Sequence, residues 1–290
     1  MQFDTFLQTL VNGLFIGGVY GLVSIGLTLI YGVMLILNFA HGEFMMLGMY
    51  VAFWAFTLGG LDPYVSVVIA AALIFLLGAA IQRGLIQRVL TAHPLNQIVL
   101  LLGVSTLLIG LVQFFWTADP RAIHVPYETE VIQVGFLRLS IPRMVAFFAS
   151  LVTSVALYVF LQYTKTGKAI RAVSQNRDAA LLMGIDVKYI YMLTFGLGAA
   201  VTAAAGVFLT PTFRILPTIG QSFSVTAFVV VVLGTMGNFI GAFVGGLIIG
   251  VVEVFAGYYL GGDVKIIASM TVFILVLLFR PAGLFGRKRA

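Results

Sequence analysis

Three places in this strongly apolar chain carry side chains that could bind, gate or relay charge. The first is Asn38-Phe39-Ala40-His41-Gly42-Glu43, which puts an amide, an imidazole and a carboxylate within six residues. Such groups cost too much to leave facing lipid, so Asn38, His41 and Glu43 must face protein or water. They form either a gate on a pathway or a structural network that bonds neighbouring backbone at a helix start. The second place is Glu253, in the run IIGVVEVFAG. Its carboxylate can pair with a neighbouring helix, face a solute pathway, or take up and release a proton. The third is Arg177-Asp178-Ala179-Ala180-Leu181-Leu182-Met183-Gly184. Small Ala179 and Ala180 allow another surface to approach a helix closely, and Gly184 ends that helix so that the chain can turn back. An ordinary amphipathic loop helix with a glycine cap has the same pattern.

The elements that must hold these residues are membrane helices. Of 290 residues, 61% are hydrophobic and 9% charged, and the mean hydropathy is +1.11. Soluble domains carry about a quarter charged residues. Uncharged runs of about 20 residues, long enough for a bilayer core of roughly 30 Å, recur along the whole chain. They predict an all-α, polytopic transmembrane bundle of about nine segments, with eight to ten as the range, forming a single domain over 1–290. The spans fall at 6–30, 40–57, 63–82, 97–116, 141–163, 190–211, 223–233, 239–260 and 264–279. The interval 223–260 is short for two full spans and is interrupted by Gly234, Gly237, Gly241, Gly245 and Gly246, so one of its segments is expected to be short or re-entrant. Glycines four apart, such as Gly17 and Gly21, suit close helix packing and say little about a substrate.

Orientation follows from the basic residues. Eleven of the sixteen fall on one side: Arg83 and Arg88, then Lys165, Lys168, Arg171, Arg177 and Lys188, then Arg280, Arg287, Lys288 and Arg289. Arg121, Arg138, Arg143, Arg214 and Lys265 fall on the other. The rule puts the first set and the C-terminus in the cytoplasm and the N-terminus outside. The segment 164–188 then reads as a cytoplasmic helix with Ile170, Val173, Ala180, Leu181 and Gly184 on a partly apolar stripe. The segment 117–140 is an outer loop too short to be a domain, available as a docking surface.

Several chemistries are excluded or left without support. With no cysteine there is no disulfide, thiolate ligand or thiol nucleophile. The N-terminus lacks the basic region and cleavage site of a secretory signal, so the first helix is expected to be retained. His41, His93 and His124 are scattered rather than arrayed as metal ligands, and no catalytic constellation is suggested. The isoelectric point near 9.7 reports loop charge, with no nucleic-acid surface implied. There is no Gly-x-x-x-x-Gly-Lys-Ser/Thr phosphate loop, so energy from ATP would have to arrive through a partner.

The segment from Asp178 to Gly184 resembles the acidic-Ala-Ala-x-x-x-Gly coupling sequence of ABC importer permeases, with Asp178 in place of the usual Glu. Together with NFAHGE and the following MMLGMY, the glycine-rich first helix, TKTGKAIRAVSQNRDAALLMGI and the terminal FRPAGLFG, the chain resembles the branched-chain amino acid permeases of the LivH type over essentially its whole length. That resemblance implies a non-enzymatic subunit of a bacterial inner membrane importer. It would work with a second, homologous permease, two cytoplasmic ATPases that bind the ATP, and a periplasmic binding protein. The permease itself would hold no cofactor or metal and would be surrounded by lipid. Arg177, Asp178, Ala179, Ala180 and Gly184 would then couple to the ATPase. The alternatives are a secondary transporter or channel for small solutes, and an ABC permease for urea or amides.

Overall fold

The computed structural model describes residues 2–286, and the basic Arg287, Lys288 and Arg289 lie outside the described residues. The chain forms α1 (Gln2–Met34), α2 (His41–Gly59), α3 (Val67–Ile81), a π-helical stretch (Gln82–Ile86) leading into α4 (Gln87–Val89), and α5 (Pro94–Trp116). A small antiparallel hairpin of β1 (Val131–Val134) and β2 (Leu137–Ser140) follows, turning at Gly135 with Val134 opposite Leu137. Then come α6 (Ile141–Tyr163), α7 (Lys165–Gln175), α8 (Arg177–Leu182), α9 (Val187–Leu209), α10 (Ile219–Leu233), α11 (Phe239–Tyr259) and α12 (Lys265–Phe279). Among the described residues seven helices are long and apolar enough to cross a bilayer; the stretch 67–89 counts as one of them. Two further apolar helices, α10 and α12, have 15 residues each. At 1.5 Å per residue these reach about 22 Å, short of a hydrocarbon core of roughly 30 Å. The polytopic all-α bundle is as expected. The short α10 falls where the sequence was too brief for two full spans.

The core is built on α1 and α9, which are buried along most of their length. Small residues explain why these helices can sit at the centre. Gly13, Gly17 and Gly21 of α1 lie against Gly246, Gly250 and Val251 of α11, backbone to backbone. Gly26 of α1 lies against Gly198 and Thr202 of α9, and Gly48 of α2 against Ala203. In lipid the apolar effect does not drive helices together, so such close van der Waals contact is the main attraction available.

Contacts between loops define two ends of the bundle. At one end Arg121 and Ile215 exchange backbone hydrogen bonds of 3.0 and 2.8 Å, and Gln8 brackets Arg138 with two bonds of 2.8 Å. There the Tyr127 hydroxyl also donates to Asp62 at 2.6 Å. Burial, and then the bond to Asp62, holds that phenol well above its ordinary pKa, so this clasp stays protonated at physiological pH. At the opposite end the turn after α10 meets the end of α1 at Gly32, and the Leu284 amide donates to the Leu233 carbonyl at 2.8 Å. The segment carrying α7 and α8 packs at this second end.

Where a single helix was expected over 164–188, two are present. Thr164 caps α7, accepting from the Gly167 amide at 3.0 Å, and Asn176 breaks the run and caps α8, accepting from the Ala179 amide at 3.0 Å. Side-chain caps of this kind satisfy amides that have no partner within the helix.

The glycine seam gives a direct test. Any side chain added at Gly250 would collide with the Gly17 backbone, whereas Gly103 faces open space. Gly250→Val should destabilise the purified protein by about 3 kcal/mol or more, the upper range of overpacking, while Gly103→Val leaves the midpoint of thermal unfolding in detergent unchanged. Equal midpoints for the two variants would contradict the seam.

Candidate functional site

After α1 ends at Met34 the chain does not start its next helix at that end. Leu35 takes φ 55° and residues 35–40 turn back into the bundle, so that α2 begins at His41 in the protein interior. The depth follows from the partner of His41. Its Nε2 lies 2.9 Å from the carbonyl of Val23, which is about 16 Å along α1 from the Met34 end at 1.5 Å per residue. The span expected over 40–57 put Asn38, His41 and Glu43 at its edge, whereas all three are completely buried.

Each of the three is held by a different part of the chain. Asn38 Oδ1 accepts from the Ala40 amide at 3.1 Å and its carbonyl from the His41 amide at 3.3 Å, closing the turn into α2. His41 Nε2 also lies 2.8 Å from the Thr202 hydroxyl, which is itself 2.8 Å from the Gly198 carbonyl. The carbonyls of Val23 and Gly198 can only accept, so Nε2 carries the ring proton and Thr202 donates to Gly198. Glu43 Oε1 accepts from the Ser105 hydroxyl of α5 at 2.7 Å, and the Gly42 amide donates to the Ser224 hydroxyl of α10 at 2.8 Å. Gly220 of α10 lies against Gly42 and Glu43, where any side chain would collide with the carboxylate. The start of α2 is therefore fastened to α1, α5, α9 and α10 at once. Serine and threonine in apolar runs were the available signal for Ser105, Thr202 and Ser224, but nothing in the sequence pairs them with Glu43, His41 and Gly42.

Glu253 belongs to a separate location. It sits on α11, 7% exposed, and accepts from the Tyr20 hydroxyl of α1 at 2.7 Å. Tyr20 stacks edge-on against Phe223 of α10 at 5.8 Å, and Phe223 in turn against Phe213 at 5.9 Å. These residues line a cavity of about 560 Å³ among α1, α6, α10, α11 and α12. A second cavity of about 530 Å³ lies at the end bearing the Arg121–Ile215 bridge, and Asn12, Arg143, Thr212 and Phe213 line both. The cluster around His41 and the pair Tyr20–Glu253 are thus not one constellation.

The third group is at the opposite end. Arg177, Asp178 and Ala179 are exposed on α8, and Ala180 is turned inward and buried against its own chain. The outward apolar surface is instead Leu181, Leu182 and Met183, with Leu182 89% exposed. Gly184 takes φ 78°, the left-handed conformation that ends α8, and Asp186 then caps α9 by accepting from the amides of Lys188 and Tyr189. No group of three or more His, Cys, Asp or Glu side chains able to hold a metal occurs among the described residues.

Comparison with known proteins gives a family match and relatives along nearly the whole chain. Residues 9–280 match the family described as "Branched-chain amino acid transport system / permease component". The chain is 33% identical to the high-affinity branched-chain amino acid transport system permease protein BraD of Pseudomonas aeruginosa, over 97% of this chain and 96% of that one. It is 34% identical to LivH, the corresponding permease protein of Salmonella typhimurium, over 99% and 97%. To the probable branched-chain amino acid transport permease protein LivH of Methanocaldococcus jannaschii it is 30% identical, over 91% and 88%.

The buried Glu43–Ser105 bond can be tested by stability. Ser105→Ala removes the donor to a carboxylate that has no access to solvent and should cost about 1–3 kcal/mol. Glu43→Gln, which can still accept from Ser105, should cost less. Ser105→Ala with unchanged unfolding in detergent would show that the bond does not hold α2 in place.

Proposed function

Because the chain belongs to the branched-chain amino acid transport system permease family, we propose that it is the membrane-spanning permease subunit of an ATP-binding cassette importer for branched-chain amino acids. The observation that carries this reading is the family match over residues 9–280, together with relatives that align along nearly the whole chain. It forms the solute pathway and does no covalent chemistry. A polytopic bundle without a phosphate loop suits that division of labour, because ATP hydrolysis is left to two cytoplasmic ATPase partners. A second, homologous permease completes the membrane part, and a periplasmic binding protein delivers the amino acid.

In this reading α8 is the coupling element. The support is an exposed apolar surface, Leu182 and Met183, beside the charges of Arg177 and Asp178, at the end of the bundle rich in basic residues. Ala180 contributes by letting α8 sit tightly on its own subunit, with the ATPase meeting the opposite face. The orientation follows: the end bearing α7 and α8 is cytoplasmic, the end bearing the β-hairpin is periplasmic, and the N-terminus lies outside. Counting α10 and α12 as crossings makes nine. The end of α10 is held by the hydrogen bond from the Leu284 amide to the Leu233 carbonyl, whereas α12 buries only Ser269.

Three measurements bear on these statements. The reconstituted complex should take up labelled leucine, isoleucine and valine only with ATP and binding protein, and uptake of urea or amides in their place would overturn the substrate. Met183→Asp, which puts a charge on the exposed face without touching the core, should lower substrate-stimulated ATPase activity at least several-fold in an assembled complex. Unchanged stimulation would remove α8 as the coupling element. Cysteine substitution in a chain that has none reports orientation: an impermeant thiol reagent on spheroplasts should label position 124 and spare position 168, and the reverse pattern would invert the topology.

A further inference from the structure

The cavity between α1, α6, α10, α11 and α12 has a chemical composition that its place in the bundle does not require. One carboxylate, Glu253, and two cations, Arg143 and Lys265, line it together. A charge within a membrane bundle is costly, and one that serves structure alone is expected to be closed off by its partners. Glu253 fits that description only in part: it is bonded to Tyr20 and Ser269 and has Lys265 nearby, and it still lines an open volume. Arg143 and Lys265 are both exposed. The remaining wall is aliphatic and aromatic, with Phe15, Ile16 and Val19 of α1, Leu209, and the Phe213–Phe223 pair. At about 560 Å³ the volume lies within the range of roughly 300–1,000 Å³ typical of small-molecule sites.

We propose that this cavity is a recognition site, within a single permease subunit, for a zwitterionic aliphatic α-amino acid in transit. Glu253 faces the ammonium group, Arg143 and Lys265 face the carboxylate, and the α1 and Phe213–Phe223 wall receives the aliphatic side chain. The Tyr20 hydroxyl fixes the Glu253 carboxylate, so Tyr20 is a positioning residue. The approach is also built in. Arg143 lines the neighbouring cavity of about 530 Å³ as well, where it, Arg138 and Arg214 outnumber the one carboxylate, Glu128, so that cavity favours the carboxylate end of an amino acid. Opposite charges and apolar surface in one chamber select against a solute that lacks either charge, because the unmatched partner would stay desolvated. The inference rests on the permease reading and adds to it the residues that recognise the two charges.

The test uses the complete permease–ATPase complex with a single cysteine replacing Ser222, which lines the cavity without belonging to the charged set. Labelling by a small maleimide is timed with L-leucine at millimolar concentration, with leucinamide, which lacks the carboxylate, and with 4-methylpentanoate, which lacks the ammonium group. Leucine should slow labelling several-fold, and the two charge-deleted compounds should slow it little. Arg143→Gln together with Lys265→Gln should abolish the difference between leucine and leucinamide, and Glu253→Gln the difference between leucine and 4-methylpentanoate. Glu253→Gln should assemble, since Gln keeps the acceptor for Tyr20, and the Arg143→Gln and Lys265→Gln pair should assemble because both side chains are exposed. Equal labelling with and without leucine, or protection that ignores these substitutions, overturns the site. ATP-driven leucine uptake by the unsubstituted complex is measured alongside. Absence of uptake there sinks the permease reading itself, whereas uptake without charge-dependent protection sinks only the chamber.

Discussion

Within a bilayer, a helix that starts in the interior must find partners for its first amides and for any polar side chain it brings along. That constraint governs the centre of this protein. The chain turns back after Met34 and starts α2 at depth, with His41 on the Val23 carbonyl, Glu43 on Ser105 and the Gly42 amide on Ser224. Four other helices are needed to meet these demands, and they can reach only because glycine and alanine line the crossings. Gly26 admits His41 and Thr202, Gly220 admits Glu43, and Gly48 admits the backbone of Ala203. Small residues bring the helices close enough for His41 to reach the Val23 carbonyl and for Glu43 to reach the Ser105 hydroxyl.

The polar sites differ in how they are enclosed. Asn38, His41 and Glu43 are fully buried and each makes at least one bond within the fold, while Asn38 Nδ2, His41 Nδ1 and Glu43 Oε2 are buried without a hydrogen-bond partner among the described residues. Glu253 is held by Tyr20 and Ser269 and lines the open chamber that we propose receives a passing solute. A neutral zwitterion moved at the expense of ATP needs complementary charges along its route and no proton relay.

How much of this was legible in the sequence depends on the range of the interactions. The bundle and most helix positions were readable, since they rest on local apolar runs of membrane-spanning length. The weakness of the 223–260 interval was readable too, and α10 is short there. The turn of α8 at Gly184 was visible because a left-handed cap is a local event. The break at Asn176 was missed because the apolar stripe runs across it, although Asn is a strong capping residue. The depth of His41 was not legible at all, since it is set by Val23 and Thr202, residues 18 and 161 positions away in the chain. For the same reason Tyr20, 233 positions from Glu253, gave no sign of being its partner, and Ala180 could not be assigned to the inward side of α8.

In the proposed importer the buried acids serve packing and recognition, while the energy is supplied from outside this chain. That division is tested most directly by leucine uptake into proteoliposomes holding the full complex, with ATP inside and a protonophore abolishing the proton gradient. The account predicts that uptake continues at an undiminished initial rate and stops when ATP is withheld. Uptake that persists without ATP and collapses with the gradient would contradict it.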